Sequence, residues 1–580
     1  MRQKFCSLTT NRRCRQGFLS ILLSTLLLAG ILIVLWVDSG PPTARASGPV
    51  SLSGRLLDSQ GQPVHGAEVI VHAGESHESI AMAESQGDGT FVLDLPANPL
   101  PSRLAVEIDR AHFESQEVAL ATKEVARLND GESLRLPDIE LARRITPGFW
   151  VATLVFVGVL ALIALEKLHN TTSAMLGTAI VLATSFVGGA INPRLFIFDF
   201  EQALEYVHFD VIFLVMGMMI VIAVIEETGI FQWMAYQAYR LSRGRAWLLV
   251  ITLMVITAVA SALLDNVTTM LLMTPMTIQI ALSIGVNPLS LLLPEVLASN
   301  VGGISTLIGT PTNILIGSYA GLTFNDFLTN LTPGVVLAEL ALIAYVLVVY
   351  RRQLFAQGNG LSAAMLERLK ESGRITRPQK LAKAGIVFVV MLVFFITGER
   401  IHLEPAVTAM VGAVAMLIWV SPDVEGMMKV VDWTTLMFFI SLFILVGAIQ
   451  EVGLISIIAA SIGRVVGENL AATILMVSWS AGFLSGVVDN IPFAAAMLPV
   501  VGFLTRTVPG ASSQVLYYSL SIGAAMGGNS TLIGSSANLV TAGIAERAGY
   551  RITYLDFIKV GLPAMILTVA IGVVWLFIQF

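Results

Sequence analysis

The chain is 580 residues long, 55% hydrophobic and only 13% charged, with a mean hydropathy of +0.78 and a formal net charge of −6. Apolar runs at that density exclude a soluble core and point to a polytopic α-helical membrane protein. There is no basic patch suited to nucleic acid, and Cys6 and Cys14 offer neither a disulfide framework nor a zinc site; without an HExxH, G-x-S-x-G or phosphate-loop motif, no enzyme activity, resident metal or cofactor is expected.

Residues 1–47 read as a basic cytoplasmic tail and a membrane anchor. Arg2, Lys4, Arg12, Arg13 and Arg15 precede an apolar run over about 17–37, and the positive-inside rule puts that start in the cytoplasm. The run is longer than an ordinary signal core, so an uncleaved anchor is expected despite Ala44-Arg45-Ala46. Residues 48–144 are different: VSLSGRLLDSQGQPVHGAEVIVHAG alternates apolar and polar, and GDGTFVLDLP and LAVEI continue the pattern. Period-two alternation with Gly/Pro turns predicts short antiparallel strands in a small extracytoplasmic β-sandwich. His65, His72 and His77 are expected as scattered edge histidines rather than metal ligands, and Asp88 as a turn residue. The pattern resembles the carboxypeptidase-regulatory-like, transthyretin-like sandwich. That resemblance implies an accessory role, with a protein partner for this domain.

The first half of the membrane domain is expected over 145–350. Apolar spans fall at about 149–165, 172–191 and 208–228, then an amphipathic segment ends in Arg240, Arg243 and Arg245, a cytoplasmic cluster. Two apolar stretches, about 246–264 and 270–285, meet at Asp265-Asn266-Val267-Thr268. A re-entrant hairpin keeps the positive loops on one side, and non-helical backbone at membrane depth needs a cavity or protein around it. The next crossing, about 289–318, is interrupted by Gly302, Gly303, Gly309 and Pro311, which free backbone groups that an ion or polar substrate can meet. A span at about 334–350 leads into a cytoplasmic linker, 351–383. Repeat 2, 384–580, follows with spans at about 384–399, 405–420 and 434–450, a hairpin at 470–506, an interrupted span at 514–545 broken by Gly527, Gly528 and Gly534, and a last span at 560–579.

The two halves are copies. GGISTLIGTPTN at Gly302–Asn313 returns as GGNSTLIGSSAN at Gly527–Asn538, 225 residues later. SALLDN at 261–266 returns as SGVVDN at 485–490, and IEETG at 225–229 as IQEVG at 449–453. Five crossings plus a hairpin is an odd count, so the second copy enters upside down. The expected fold is therefore an inverted repeat of two halves, each five crossings plus a re-entrant hairpin, preceded by one anchor helix and the β-sandwich. The N-terminus is then cytoplasmic, and residues 48–144 and the C-terminus extracytoplasmic.

Two tips and two breaks should meet near the bilayer midplane. The candidate ligands are Asp265, Asn266, Thr268, Asn300, Ser305, Thr306, Thr310 and Asn313 from repeat 1, with Asp489, Asn490, Asn529, Ser530, Thr531, Ser535 and Asn538 from repeat 2. An intramembrane carboxylate among hydroxyls and carbonyls is a hard-oxygen site for a small cation, at which proton and cation compete. The plainer reading makes Asp265 and Asp489 helix caps, and capping and binding can coexist. The Thr and Ser hydroxyls can equally bond helix carbonyls. Asn300 and Asn529 have apolar repeat counterparts, Ala525 and Ile304, as expected where one substrate lies between two halves. Glu227 and Glu451 are expected to be solvated or snorkelling near span ends. Glu295 lies inside an apolar span and is a candidate for a proton path.

These motifs resemble the ion-transporter superfamily of the arsenite-pump membrane subunit, NhaD-type sodium–proton antiporters and P-protein-like permeases, with a citrate-transporter-like domain, over about 150–580. The resemblance implies a secondary active ion transporter, Na+/H+ antiporter-like. The alternatives are a sodium-coupled symporter of di- or tricarboxylates or another anion, and an arsenite-type efflux permease. Hairpin tips of divalent-anion–sodium symporters read Ser-Asn-Thr; Asp265-Asn266-Val267 and Asp489-Asn490-Ile491 favour the cation branch. P-protein-like members read Gly-Asp-Pro-Pro-Asn in the first break, where this chain has Gly309-Thr310-Pro311-Thr312-Asn313, resembling the anion-symporter version. The expected partners are the lipid bilayer of an inner or plasma membrane, a small ion or solute, Na+ or H+ as coupling ion, and a second copy in a homodimer.

Overall fold

The computed structural model describes residues 50–59, 61–73, 79–96, 100–165, 167–355, 367, 370–371, 373–467 and 469–580. The anchor run, Cys6, Cys14 and His77 lie outside them. The chain forms two compact units. One holds the described residues up to Leu56 with Val64–Ile108 and Glu117–Ile139; the other holds Leu57–Pro63, Asp109–Gln116 and Glu140–Phe580.

In the first unit the alternation folds as strands. β1 (Val50–Asp58) pairs antiparallel with β4 (Thr90–Leu95), from Val50 opposite Leu95 to Arg55 opposite Thr90, and β7 (Leu134–Arg135) joins β1 in parallel. The second sheet runs β3 (Ser79–Glu84), β2 (Glu68–Ala73), β5 (Leu104–Asp109), β6 (Gln116–Ala119). Every second residue is buried (Leu52, Leu56, Phe91, Leu93, Leu95), the period of a half-buried strand. Asp88 takes its expected turn role: Thr90 donates to it through both its N–H (3.0 Å) and its hydroxyl (2.6 Å), and these bonds hold its carboxyl below the usual range. His72 departs from expectation. It is buried, with Nε2 2.8 Å from Glu107 Oε2; Val69 and Val71 take the inward phase of β2, and a register shift between Val71 and His72 brings His72 into cover as well.

The second unit is helical. Among its described residues nine helices are long and apolar enough to cross a membrane. In repeat 1 they are α2 (Pro147–Ala164), α3 (Asn170–Ala183, carried on by a π turn), α5 (Phe209–Glu226), α7 (Ala246–Leu263), α8 (Asn266–Ile284) and α12 (Thr332–Val349). In repeat 2 they are α13 (Pro378–Thr397), α16 (Trp433–Glu451) and α22 (Tyr554–Gln579). (α1, Thr122–Asn129, belongs to the first unit.) The duplication extends element by element. The short helix α4 (Phe200–Glu205) and α6 (Ile230–Ser242) return as α15 (Val424–Val430) and α17 (Leu454–Val466). The broken pair α9 (Leu289–Gly302) and α10 (Pro311–Ala320) returns as α20 (Val515–Gly527) and α21 (Ser536–Arg547). The hairpin returns as α18 (Leu470–Leu484) and α19 (Asn490–Thr507), and α3 as α14 (Pro405–Trp419).

Contacts between the halves respect the same two-fold relation. α5 packs on α14 and α3 on α16; α8 packs on α21 and α10 on α19; α12 packs on its own counterpart α22. Small residues let these helices approach, as packing in lipid favours. A Cβ on Gly217 would come within 2.9 Å of the Ala409 backbone, and Thr178 Oγ1 donates to Ser441 O at 2.9 Å. Side chains such as Leu154, Val157, Val389 and Val411 stay exposed, as lipid-facing residues do.

The hairpin turn is tighter than the sequence pattern implies. It is confined to Leu264-Asp265, with α8 starting at Asn266 rather than near 270, because Asp265 caps α8 directly. In the connection α11 (Phe324–Asn330), Asn330 O accepts the Trp575 Nε1–H of α22 at 2.6 Å.

Candidate ion and substrate site

Each hairpin tip lies against the break of its own repeat. Ser261 Oγ donates to Ser299 O at 2.8 Å, and Thr306 Oγ1 donates to Ala262 O. In repeat 2 the same bonds recur: Ser485 Oγ to Ala524 O at 2.7 Å, and Thr531 Oγ1 to Gly486 O. Thr306 and Thr531 thus use their hydroxyls to hold tip to break, the plainer of the two expected roles.

The glycines serve close approach rather than unusual torsion. A Cβ on Gly302 would sit 2.4 Å from Ala258 O, and one on Gly309 2.3 Å from Gly303 O; a Cβ on Gly303 would meet Gly309 O at 2.8 Å. Gly527 faces Gly482 O at 2.6 Å, while Gly528 and Gly534 face each other's carbonyls at 2.9 Å. Only a residue without a side chain lets two backbone segments cross there. Pro311 opens α10 at its first position, where its missing N–H costs nothing.

The carbonyls freed by the breaks have protein partners. Asn313 Nδ2 donates to Thr306 O (2.8 Å) and Ile304 O (3.2 Å). Asn538 Nδ2 donates to Gly528 O (2.8 Å) and Thr531 O (2.9 Å). Neither asparagine is a C-cap; both sit in the first turn of the following half-helix, behind Thr310 and Ser535 at the N-caps. Thr310 Oγ1 accepts the Asn313 N–H at 3.1 Å.

One buried amide cluster joins the halves. Asn300 Nδ2 donates to Asn529 Oδ1 (2.8 Å) and Asn538 Oδ1 (3.0 Å), while Asn300 Oδ1 accepts from Asn266 Nδ2 (2.8 Å) and Ser535 Oγ (3.1 Å). Asn529 Nδ2 in turn donates to Leu297 O at 3.2 Å. Across the interface, Ser521 Oγ donates to Asn313 Oδ1 at 2.7 Å. The two asparagines without polar repeat counterparts are therefore direct neighbours. Leaving one such buried amide unpaired costs about 1–3 kcal/mol, so the cluster locks the present arrangement unless a ligand replaces its bonds.

The two acids flank this cluster. Asp265 Oδ1 accepts the Val267 N–H at 2.7 Å, and Oδ2 accepts the Thr268 N–H at 3.2 Å and its hydroxyl. Asp489 Oδ1 accepts the Ile491 N–H at 3.3 Å, and Oδ2 accepts Ser536 Oγ at 2.8 Å. Both acids are caps. The one in repeat 2 is also tied to α21, one residue from Ser535, so hydrogen bonds lead from one tip to the other through Ser536-Ser535, Asn300 and Asn266. Asn490 is buried at its tip, Ser530 Oγ donates to Gly527 O at 2.8 Å, and Ser305 enters through its carbonyl, which accepts from Thr332 Oγ1 at 2.9 Å.

Both tips are approached from the same end of the helices. A cavity of about 420 Å³ is lined by Lys167, His169 and Asn170 of the α2–α3 loop and by Val487, Asp489 and Ile533. Thr171 Oγ1 of that end bonds Thr434 O at 2.9 Å, and Asp432 lies close enough to Asp265 for their charges to interact. Among the described residues no cluster of three His, Cys, Asp or Glu side chains is placed to hold a metal.

Sequence reasoning missed Ser261, Ser299, Ser485, Ser521 and Ser536. Ser261 and Ser485 were visible as the first letters of the repeated SALLDN/SGVVDN segment. Ser536 had no such signal, since repeat 1 has Pro311 there.

Comparisons with known proteins place the chain in a family. The family model described as Citrate transporter (CitMHS) matches residues 160–523. An uncharacterized transporter of Mycobacterium tuberculosis is 37% identical over 432 residues, covering 74% of this chain and 98% of that protein. The human P protein is 34% identical over 507 residues, covering 74% of this chain but 59% of its own longer length. Among solved structures, the Alcanivorax borkumensis YdaH transporter matches with a TM-score of 0.50 at 13% identity, over 71% of this chain and 98% of that one, a likeness of fold. The chain is thus a polytopic membrane transporter that belongs to the citrate transporter family, within the ArsB/NhaD type.

Proposed function

We propose that this transporter is a secondary active, Na+/H+ antiporter-like permease that carries a small ion across a cell membrane. The observation that carries the reading is the bridge from Asn266 through Asn300 to Asn529, Asn538 and Ser535, where both breaks and one tip meet and the second tip adjoins. A ligand entering from the Lys167–Asp489 cavity exchanges bonds with these amides, and the two capped acids supply the negative charge that attracts a cation. Asp265, Asn266, Thr268, Asn300, Asn313, Asp489, Asn490, Asn529, Ser535 and Asn538 are its ligands or the groups that hold them.

In this reading the entry cavity faces the cytoplasm, residues 48–144 and the C-terminus are extracytoplasmic, and the transporter works as a homodimer. The charge bias supports that orientation: Arg240, Arg243 and Arg245 end or follow α6, and Arg374, Arg377, Lys380 and Lys383 precede or open α13, all on one predicted side. The β-sandwich is the surface for a protein partner.

The test uses the full chain in proteoliposomes with an internal pH dye and an imposed Na+ gradient. Wild type should acidify or alkalinise the lumen as Na+ moves. Asp265→Asn and Asp489→Asn should abolish the coupling while still inserting, since asparagine caps a helix as well as aspartate does. Normal pH-dependent exchange in both variants overturns the reading.

A second reading, sodium-coupled uptake of a di- or tricarboxylate, is favoured by one observation: the central cluster is made of neutral amides. Sodium-dependent uptake of labelled citrate without proton counterflow decides for it.

A further inference from the structure

Glu295 is a buried acid that takes no part in the amide cluster. Glu295, on α9, has no exposed surface. Its Oε1 accepts a hydrogen bond from Thr257 Oγ1 of α7 at 3.0 Å, and the Thr277 hydroxyl of α8 lies beside the carboxylate without closing a bond of good geometry. Glu295 Oε2 has no hydrogen-bond partner, nor have the hydroxyls of Thr277 and nearby Thr274, all fully buried.

Among the described residues no cation is paired with it. α7 and α8 carry no charged residue. Of the other helices packed on α9, α12 brings Glu339 and Tyr345, α20 Tyr517 and Tyr518, α21 Glu546 and Arg547, and α22 Tyr554, Asp556 and Lys559. Among the described residues Glu295 forms no ion pair: Oε1 meets Thr257 and Oε2 meets no donor. A carboxylate there would carry an unpaired charge in a low-dielectric bundle, which is costly.

The internal duplication supplies a control. The repeat 2 positions of Thr257, Thr277 and Glu295 are Ala481, Val501 and Leu520, each buried. The same backbone packs well with three apolar residues in place of the three polar ones, so the fold has no need of the acid.

We propose that Glu295, with Thr257 and Thr277, is a proton-binding site of repeat 1, separate from the amide cluster, and that it carries the coupling proton. Its step is a single proton transfer: an O–H bond forms at Oε2 as the O–H bond of a hydronium donor breaks, leaving water and a neutral acid, and release to water is the reverse. Thr257 steadies Oε1, and Thr277 is free to turn its hydroxyl toward either charge state. The proposal rests on the transporter reading for its role in coupling, but its binding claim does not.

The test is infrared difference spectroscopy on the purified full chain in nanodiscs, stepped between about pH 5 and pH 9, a range that covers ordinary and buried carboxyl titration. A buried carboxylic C=O band should appear on acidification and vanish on alkalinisation. It should be lost in Glu295→Gln, shifted in frequency in Thr257→Val, and kept in Glu339→Gln. In proteoliposomes Glu295→Gln should retain Na+-dependent fluxes but lose their proton counterflow. A Glu295 band unchanged across the whole range makes the acid a permanently neutral structural group and overturns the proposal, as does a set of titrating carboxylic bands identical in wild type and Glu295→Gln. If the band titrates as described while Asp265→Asn and Asp489→Asn exchange normally, the amide-cluster reading fails and the proton site stands.

Discussion

The two elbows that leave α5 and α16 share a sequence motif and a backbone, yet are fastened differently. In each, a glutamate is followed by a glycine in the left-handed region, Gly229 at φ 81° and Gly453 at φ 89°, which starts α6 or α17. At the first elbow Glu227 is partly exposed and pairs with linker residues: Arg377 Nη1 at 2.7 Å and Lys380 Nζ at 3.5 Å, while Thr376 N donates to Thr228 O at 3.1 Å. At the second, Glu451 is buried. Arg110 Nη2 meets its Oε1, Tyr206 Oη donates to Oε2 at 2.6 Å, and Arg143 Nη1 donates to its backbone carbonyl at 3.3 Å. Arg143 itself lies over the Phe113 ring at 4.6 Å. Duplication therefore supplies the bend, and segments outside the repeat decide how firmly each bend is held.

The sharpest way to break the comparison is to remove one cation from each elbow. Arg110→Ala leaves a buried carboxylate without its ion partner, which costs about 3–5 kcal/mol. Arg377→Ala removes a half-exposed partner and leaves Lys380 in place, for less than about 1 kcal/mol. Thermal unfolding in detergent should therefore drop clearly for Arg110→Ala and barely for Arg377→Ala; equal drops would mean that burial does not distinguish the elbows.

The fate of Glu451 also marks where sequence reading stops. The motif IEETG/IQEVG, the tips and the glycine breaks were legible because duplication prints each feature twice at one spacing. Asn300 and Asn529 stood out by the opposite sign, polarity present in one copy only. A snorkelling role was expected for Glu451 because it ends a span; its cation, Arg110, is 341 residues away, and nothing local announces it. For the same reason, the carbonyls freed at Gly303–Thr306 suggested a ligand when the partner was Asn313, seven residues on from Thr306. Periodicity reports which face of a helix is buried, not which side chain folds back to satisfy a loop. The β-sandwich was legible from alternation, whereas the burial of His72 depended on a register shift in β2 that alternation does not announce.

Smaller effects sharpen the contrast. Gly453→Ala and Gly229→Ala each force a left-handed alanine, about 1–2 kcal/mol. At Gly453 the new Cβ would also lie 2.8 Å from Arg143 Nη1 and push the guanidinium off the Glu451 carbonyl, against 3.3 Å from Thr376 N at Gly229. Gly453→Ala should be the worse of the two by unfolding temperature. Next comes alkali. Burial, and then the Glu451 charge, hold the Tyr206 phenol well above its ordinary 10.0. A raised folded value means that its stabilisation is complete below the pKa of the unfolded phenol, about 10, and is lost as pH climbs from there toward the raised folded value. Stability should fall as pH rises above about 10, and Tyr206→Phe should flatten that fall relative to wild type.

The mildest perturbation is salt. The Glu227–Arg377–Lys380 cluster lies within reach of solvent ions, with Arg377 about half exposed (52%), whereas Arg110 and Glu451 are each 8% exposed. Raising ionic strength from about 0.1 M to 1 M shortens the screening length from about 10 Å to 3 Å, which weakens only the accessible pair. An exposed pair contributes about 0.2–1 kcal/mol. The difference in unfolding temperature between wild type and Glu227→Gln should therefore shrink toward zero in high salt, while the difference between wild type and Glu451→Gln should persist. If salt erases both, the second elbow is wet in solution, and the asymmetry between the two bends disappears with it.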